Sequence, residues 1–201
     1  MCLARALNVA GPVTLQPQYS LLAREIEWEI APAVIDAGLG LLPWSPLGGG
    51  WLSGKYRRDQ RPTGATRLGE DPDRGMEAYE RRGTDRTWHV IDAVQEVAED
   101  RGVSMAEVAL AWVTGQPAVS STILGARTIS QLETNLRAAR LHLSAAETAA
   151  LDAASDPHPP DYPYGELGAE QRARTLPATE HRRRARPAGQ DDELTVRGCR
   201  W

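Results

Sequence analysis

The stretch Ile123 to Asn135, ILGARTISQLETN, carries the most chemistry per residue in this chain. A strand that ends at Gly125 lets a ligand approach the backbone, because no side chain intervenes. Arg127 adds a guanidinium fork, and a helix beginning after Thr128 presents N–H groups that have no partner within the helix. Together these make an anion site. Thr128 with Gln131 also satisfies a capping box, so Gln131 has two competing roles, closing its own helix or reaching a ligand. Two earlier segments end in polar residues as well. In VTLQPQ, the amides of Gln16 and Gln18 can pair with another amide or simply solvate a strand end. In LLPWSPL, Trp44 precedes Ser45, Pro46 and Leu47, and Lys55 follows; a Trp at a strand mouth stacks on a flat ring or fills a core. Other chemistries find no pattern. His89, His142, His158 and His181 lie in unrelated segments without metal-ligand spacing, and there is no Gly-x-Ser-x-Gly elbow, Walker A loop or Gly-x-Gly-x-x-Gly turn. Gly48 to Gly50 reads as a flexible loop start.

The elements that would position these residues follow from periodicity. Short extended segments are predicted over 13–18, 39–47 and 118–124, the second a nearly unbroken apolar run of the kind buried on both faces. Helices are predicted over 3–10, 25–37 with a bend at Pro32, 85–100, 105–113, 128–140 with Ile129, Leu132 and Leu136 inward, and from Ser144 to about residue 154. Ser104 with Glu107 and Ser144 with Glu147 form capping boxes. Residues 48–83 lack an apolar period and read as one long loop. Strands alternating with helices imply an α/β fold with a parallel sheet, and such sheets bind ligands at the carboxyl ends of their strands.

Composition bounds the partners. The chain has 201 residues, 41% of them hydrophobic and 25% charged, enough for one domain with a core. A net charge of −4 offers no general footprint for nucleic acid or an anionic membrane, and no run reaches the length of a membrane span. Cys2 and Cys199 sit at opposite ends, which suggests neither a disulfide framework nor a zinc site and fits a reducing cytoplasm. Residues 177–201 have no period; their basic run at 182–186 lies near four acids and reads as a solvated, disordered tail.

The segments QPQYSLLARE (Gln16 to Glu25), LLPWSPLGGGWLSGKY (Leu41 to Tyr56) and ILGARTISQLETN, in that order, resemble the aldo-keto reductases, in particular the branch containing the potassium-channel beta subunits and bacterial homologues. The resemblance is to the C-terminal half only. It implies an α/β fold, a partial (β/α)8 TIM-type barrel with strands six to eight and their helices, over residues 1–176. It also implies NADP(H) as cofactor, with Gln16 on the nicotinamide carboxamide and Trp44 on its ring. Ser45, Pro46 and Leu47 would line the pyrophosphate path, with Lys55 near the phosphates, and Gly125, Arg127, Gln131 and Asn135 would surround the adenosine phosphate and adenine. One departure is Thr134, where the family has an acid. The family's catalytic Asp, Tyr, Lys and His have no counterpart in this chain; Tyr19, Tyr56 and His89 are the nearest substitutes in type. The first functional expectation is therefore a reductase interconverting carbonyl and alcohol with a small-molecule carbonyl substrate, if an N-terminal half completes it. The alternative is a noncatalytic NADP(H)-binding or interaction module, or a nonfunctional truncation product. An incomplete barrel also predicts self-association through its exposed edge.

Overall fold

The computed structural model describes residues 2–73 and 75–173, so the tail expected over 177–201 lies outside the described residues. They fall into two units, one of residues 13–158 and one built from the two terminal segments.

In the terminal segments, α1 spans Cys2–Ala6. In the larger unit, β1 (Thr14–Leu15) and β2 (Gly40–Leu41) form a two-stranded parallel ladder, with Thr14 opposite Gly40 and Leu15 opposite Leu41. Helices α2 (Ile30–Asp36), α3 (Arg67–Glu70), α4 (Tyr79–Arg82), α5 (Asp85–Arg101), α6 (Met105–Thr114), α7 (Ile129–Arg137) and α8 (Ala145–Ser155) follow. The terminal segments supply α9 (Asp161–Tyr164) and α10 (Glu166–Arg172), joined at Gly165, where the Asp161 carboxylate accepts from the Leu167 N–H at 3.1 Å.

The long helices begin where their local signals lie. Thr84 accepts from the Thr87 N–H and starts α5, and Gly102, at φ 62°, stops it in the left-handed conformation glycine adopts without strain. Both expected capping boxes are present, Ser104 with Glu107 on α6 and Ser144 with Glu147 on α8. Val90, Val94 and Val97 of α5 are buried at helical spacing, and α6 is buried almost all round, so α6 forms the centre of the helical layer. The helix expected over 25–37 splits into a short turn at Glu25–Glu27 and α2. Pro32 sits in the first turn of α2, where its missing N–H leaves no bond unmade, so the break falls earlier.

Two aromatic centres anchor this core. Trp51 is fully buried, stacks on Tyr79 at 5.5 Å and meets Tyr56 and Trp88 edge-on, while its indole N–H donates to the Glu77 carbonyl at 3.0 Å. Trp112 is buried against Tyr19 and beneath the Arg24 guanidinium, 5.2 Å from its ring centroid.

The expected partial (β/α)8 TIM-type barrel is corrected by the sheet. Among the described residues it has two strands of two residues each and does not close; most of the regular structure is helical. Beyond the ladder, contact continues only through isolated parallel bridges, Gln18 to Trp44 and Leu41 to Val119. The residues explain the interruption. Pro17 and Pro43 have no N–H to give to a ladder, and Ser45 and Ala118 hold positive φ values of 58° and 65°, which turn the chain out of the extended conformation. The third predicted strand therefore runs beside β2 without joining it as a strand; the Ser120 N–H still donates to the Leu41 carbonyl and the Ile123 N–H to the Pro43 carbonyl. Gly40 permits that approach, since a Cβ there would lie 2.2 Å from the Ser120 hydroxyl.

The expected inward face of α7 is corrected too. Ile129 is 77% and Leu136 57% exposed, and Asn135 and Ala138 are buried instead. Nor is 48–83 one irregular loop, because it contains short helical turns at Gly48–Ser53, Gly75–Glu77, α3 and α4.

Candidate functional site

Main-chain bonds set the first two exits side by side. The Trp44 N–H donates to the Pro17 carbonyl at 3.0 Å and the Tyr19 N–H to the Trp44 carbonyl at 3.4 Å. Gln16 is exposed, and Gln18 reaches the Glu77 carboxylate at 3.4 Å. Trp44 is 45% exposed, whereas Trp51 and Trp112 fill the core.

After Trp44 the chain turns at Ser45, whose carbonyl accepts the Gly48 N–H at 2.9 Å; Pro46 is buried and Leu47 half-buried in this turn. The glycine run that follows has a structural purpose. Gly49 and Gly50 hold φ values of 67° and 101°, and a Cβ on Gly50 would lie 2.4 Å from the Lys55 side chain. Lys55 thus folds back over the glycine backbone, its ammonium 5.8 Å from the Tyr56 ring centroid. Burial pushes the Lys55 ammonium below its ordinary value, and the positive charges of Arg127 and Arg67 push it further in the same direction.

At the third exit, space for a Cβ on Gly125 is open, so nothing within the chain crowds that backbone. The Gln131 side-chain oxygen accepts from the Arg127 N–H at 2.9 Å, while the Gln131 N–H donates to the Thr128 hydroxyl. Gln131 therefore closes its own helix start. Asn135 is buried, and the Thr134 hydroxyl bonds back to the Ser130 carbonyl at 2.9 Å. The Arg127 fork is met by a partner that sequence reasoning missed, with its two terminal nitrogens donating to the two Glu70 oxygens at 2.8 and 2.7 Å.

The fold thus brings Lys55, Arg67 and Arg127 into one field, with Glu70 on the last of them. Arg67 and Glu70 belong to α3, inside the segment read as loop; Thr66 as its cap was the one local signal, and no spacing rule links Glu70 to a residue 57 positions away. Such a donor set, three cations near a glycine-rich turn, suits phosphate groups. Substitute acids are not available in the same way. The Tyr19 hydroxyl is buried and donates to Glu27 at 2.7 Å, and burial, then the Glu27 charge, holds it well above the ordinary phenol range. Tyr56 is buried and pushed up for the same first reason, and His89 is exposed on α5. Among the described residues no cluster of three or more His, Cys, Asp or Glu side chains could hold a metal, and no helix is long and apolar enough to cross a membrane.

The chain belongs to the aldo/keto reductase family, whose model matches residues 1–156. It is 34% identical over 140 residues to a probable voltage-gated potassium channel subunit beta of Arabidopsis thaliana, covering 67% of this chain and 40% of that protein. It is 38% identical over 132 residues to Protein tas of Escherichia coli (strain K12), covering 66% of this chain and 36% of that protein. The uncharacterized oxidoreductase YrpG of Bacillus subtilis (strain 168) is 35% identical over 133 residues, with 66% and 37% covered. The chain spans about two fifths of the length of these relatives.

Two expectations are corrected here. The family match covers residues 1–156 and not a C-terminal half of the 201-residue chain. The reading as a carbonyl and alcohol oxidoreductase gives way as well: ancestry is aldo/keto reductase-like, but an open sheet of two short strands does not build the barrel mouth in which that family encloses nicotinamide and substrate.

Proposed function

We propose that this chain is a noncatalytic NADP(H)-binding module. The observation that carries the reading is Lys55 folded back over the Gly49–Gly50 turn, with Arg127 at the start of α7 and Arg67 adding positive charge that acts on the lysine. Trp44 would stack on the nicotinamide, with Gln16 on its carboxamide. Ser45, Pro46, Leu47 and Lys55 would follow the pyrophosphate, and Gly125, Arg127 and Asn135 would meet the adenosine end, with Gln131 holding the start of α7 behind them. Family membership supports the cofactor class, since NADP(H) is the group these proteins use for hydride transfer. The family's catalytic Asp, Tyr, Lys and His find no counterpart in this chain and the Tyr19 proton is committed to Glu27, so binding without turnover is the reading. It sets the chain in the cytoplasm, with no nucleic-acid or membrane partner, and with self-association through the exposed Val13 and Leu15.

Titration of NADPH against NADH, followed by tryptophan emission and calorimetry, tests it. Saturable quenching with NADPH preferred, weakened in Arg127→Ala, is the expected result. No binding at low ionic strength would overturn the reading.

A further inference from the structure

The Arg127 fork is already filled by a carboxylate from its own chain. Glu70 meets it with two parallel bonds, the geometry a guanidinium also offers to phosphate. The carboxylate is held in place from below. Leu68 is fully buried, the Thr66 hydroxyl accepts the Gly69 N–H at 2.9 Å, and Gly69 lies so close to the backbone of Thr63 and Gly64 that a Cβ would stand 2.4 Å from the Gly64 carbonyl oxygen. Yet both partners of the pair are half-exposed, with side chains 51% and 52% accessible. An exposed pair of this kind is weak, so another anion can replace Glu70 on Arg127.

We infer that Glu70 is a built-in competitor for the phosphate site, a clasp on Arg127 that a cofactor phosphate must displace; this rests on the NADP(H)-binding reading. A carboxylate brings a single negative charge, whereas a phosphate monoester near neutral pH carries about −1.5 to −2 and three acceptor oxygens. Exchange is favourable for the 2′-phosphate of NADPH and has no counterpart in NADH, which lacks that group. The clasp therefore lowers affinity only for the ligand whose extra phosphate must displace it, and leaves NADH, which has no group for Arg127, unaffected.

The test is NADPH and NADH titration of the full chain as wild type, Glu70→Gln, Asp73→Asn and Arg127→Ala, and of the Glu70→Gln/Arg127→Ala double variant. Asp73 pairs with Arg61 at 3.6 Å, so its neutralisation makes the same change in net charge without touching the clasp. Glu70→Gln is expected to tighten NADPH about two- to fivefold, the size of a half-exposed ion pair. NADH and the Asp73→Asn variant should show no such gain, and the gain should vanish in the double variant. NADPH binding to wild type that is unchanged or weakened in Glu70→Gln overturns the clasp alone, as does an equal gain in Asp73→Asn or in the double variant. Absence of NADPH binding by both wild type and Glu70→Gln overturns the clasp and the cofactor reading together.

Discussion

The Trp112 indole N–H donates to the Asp152 carboxylate at 2.9 Å, joining α6 to α8 across 40 positions of sequence. The same corner is closed by Arg24, which donates to the Ser155 hydroxyl and the Asp152 carbonyl at 2.8 and 2.9 Å and lies over the Trp112 ring. A buried N–H that loses its acceptor pays the desolvation cost in full, so Asp152→Ala is expected to destabilise by about 1–3 kcal/mol. Trp112→Ala removes the ring as well and should cost about 3–5 kcal/mol. Urea unfolding of each variant checks both values and their order.

Acid should loosen the α6 and α7 pair. Burial alone would raise the Glu107 carboxyl, but the Ser104 hydroxyl and N–H, with Arg137 at 2.9 Å, outweigh it and hold Glu107 below the ordinary carboxylate range. A group depressed on folding adds stability above its unfolded value, about 4.3 for glutamate, and that contribution is lost as pH falls through the folded value. Stability is expected to be flat from neutrality to about pH 5 and to decline below about pH 4. Glu107→Gln should be less stable at neutral pH and show a shallower acid decline, measured by unfolding across the range.

Cofactor binding should be salt-sensitive and should report on one tryptophan. If Lys55 and Arg127 face phosphates, affinity falls as ionic strength rises, because exposed charges are screened beyond about 8 Å at physiological salt. Trp44→Leu should remove much of the NADPH-dependent change in emission, since Trp44 is the most exposed of the described tryptophans, while Trp51, Trp88 and Trp112 are buried and Trp28 is only partly exposed. Fluorescence titrations at low and high salt on both proteins check this.

No NADPH oxidation is expected when a reactive aldehyde is supplied to this chain. General acid catalysis contributes typically about 10² to 10⁴ in rate, and the Tyr19 proton is held by Glu27 in a buried bond. Steady absorbance at saturating NADPH is the predicted outcome; turnover abolished by Tyr56→Phe would contradict it.

Replacement of Ile129 by Lys should change stability by less than about 0.5 kcal/mol, as for other exposed positions. Leu110→Ala, at a site 1% exposed, should cost about 2–5 kcal/mol. Sequence periodicity places Ile129 inward, whereas the structure exposes it and buries Leu110, so paired unfolding measurements distinguish pattern from packing.

Helix starts and stops were legible in the residues because each signal acts within three or four positions: Thr84 and Gly102 around α5, Ser104 with Glu107, and Ser144 with Glu147 need nothing distant. The parallel direction of the segments around Gln18, Trp44 and Val119 was readable because helices alternate with them. The family was readable from three ordered motifs. Their outcome depended on contacts no window contains. Pro17 and Pro43 let the chain run alongside itself but withhold the N–H groups a ladder needs, so expected strands became two-residue strands and single bridges. Which tryptophan stayed open, Trp44, and which were sealed, Trp51 and Trp112, followed from how Tyr56, Tyr79, Trp88, Tyr19 and Arg24 close around the buried pair. Burial is a property of every atom packed nearby, and a capping pattern is a property of four residues. The partner of Arg127 was decided the same way: its choice of Glu70 is a meeting of charges that exists only once the buried Leu68 has fixed α3 in place.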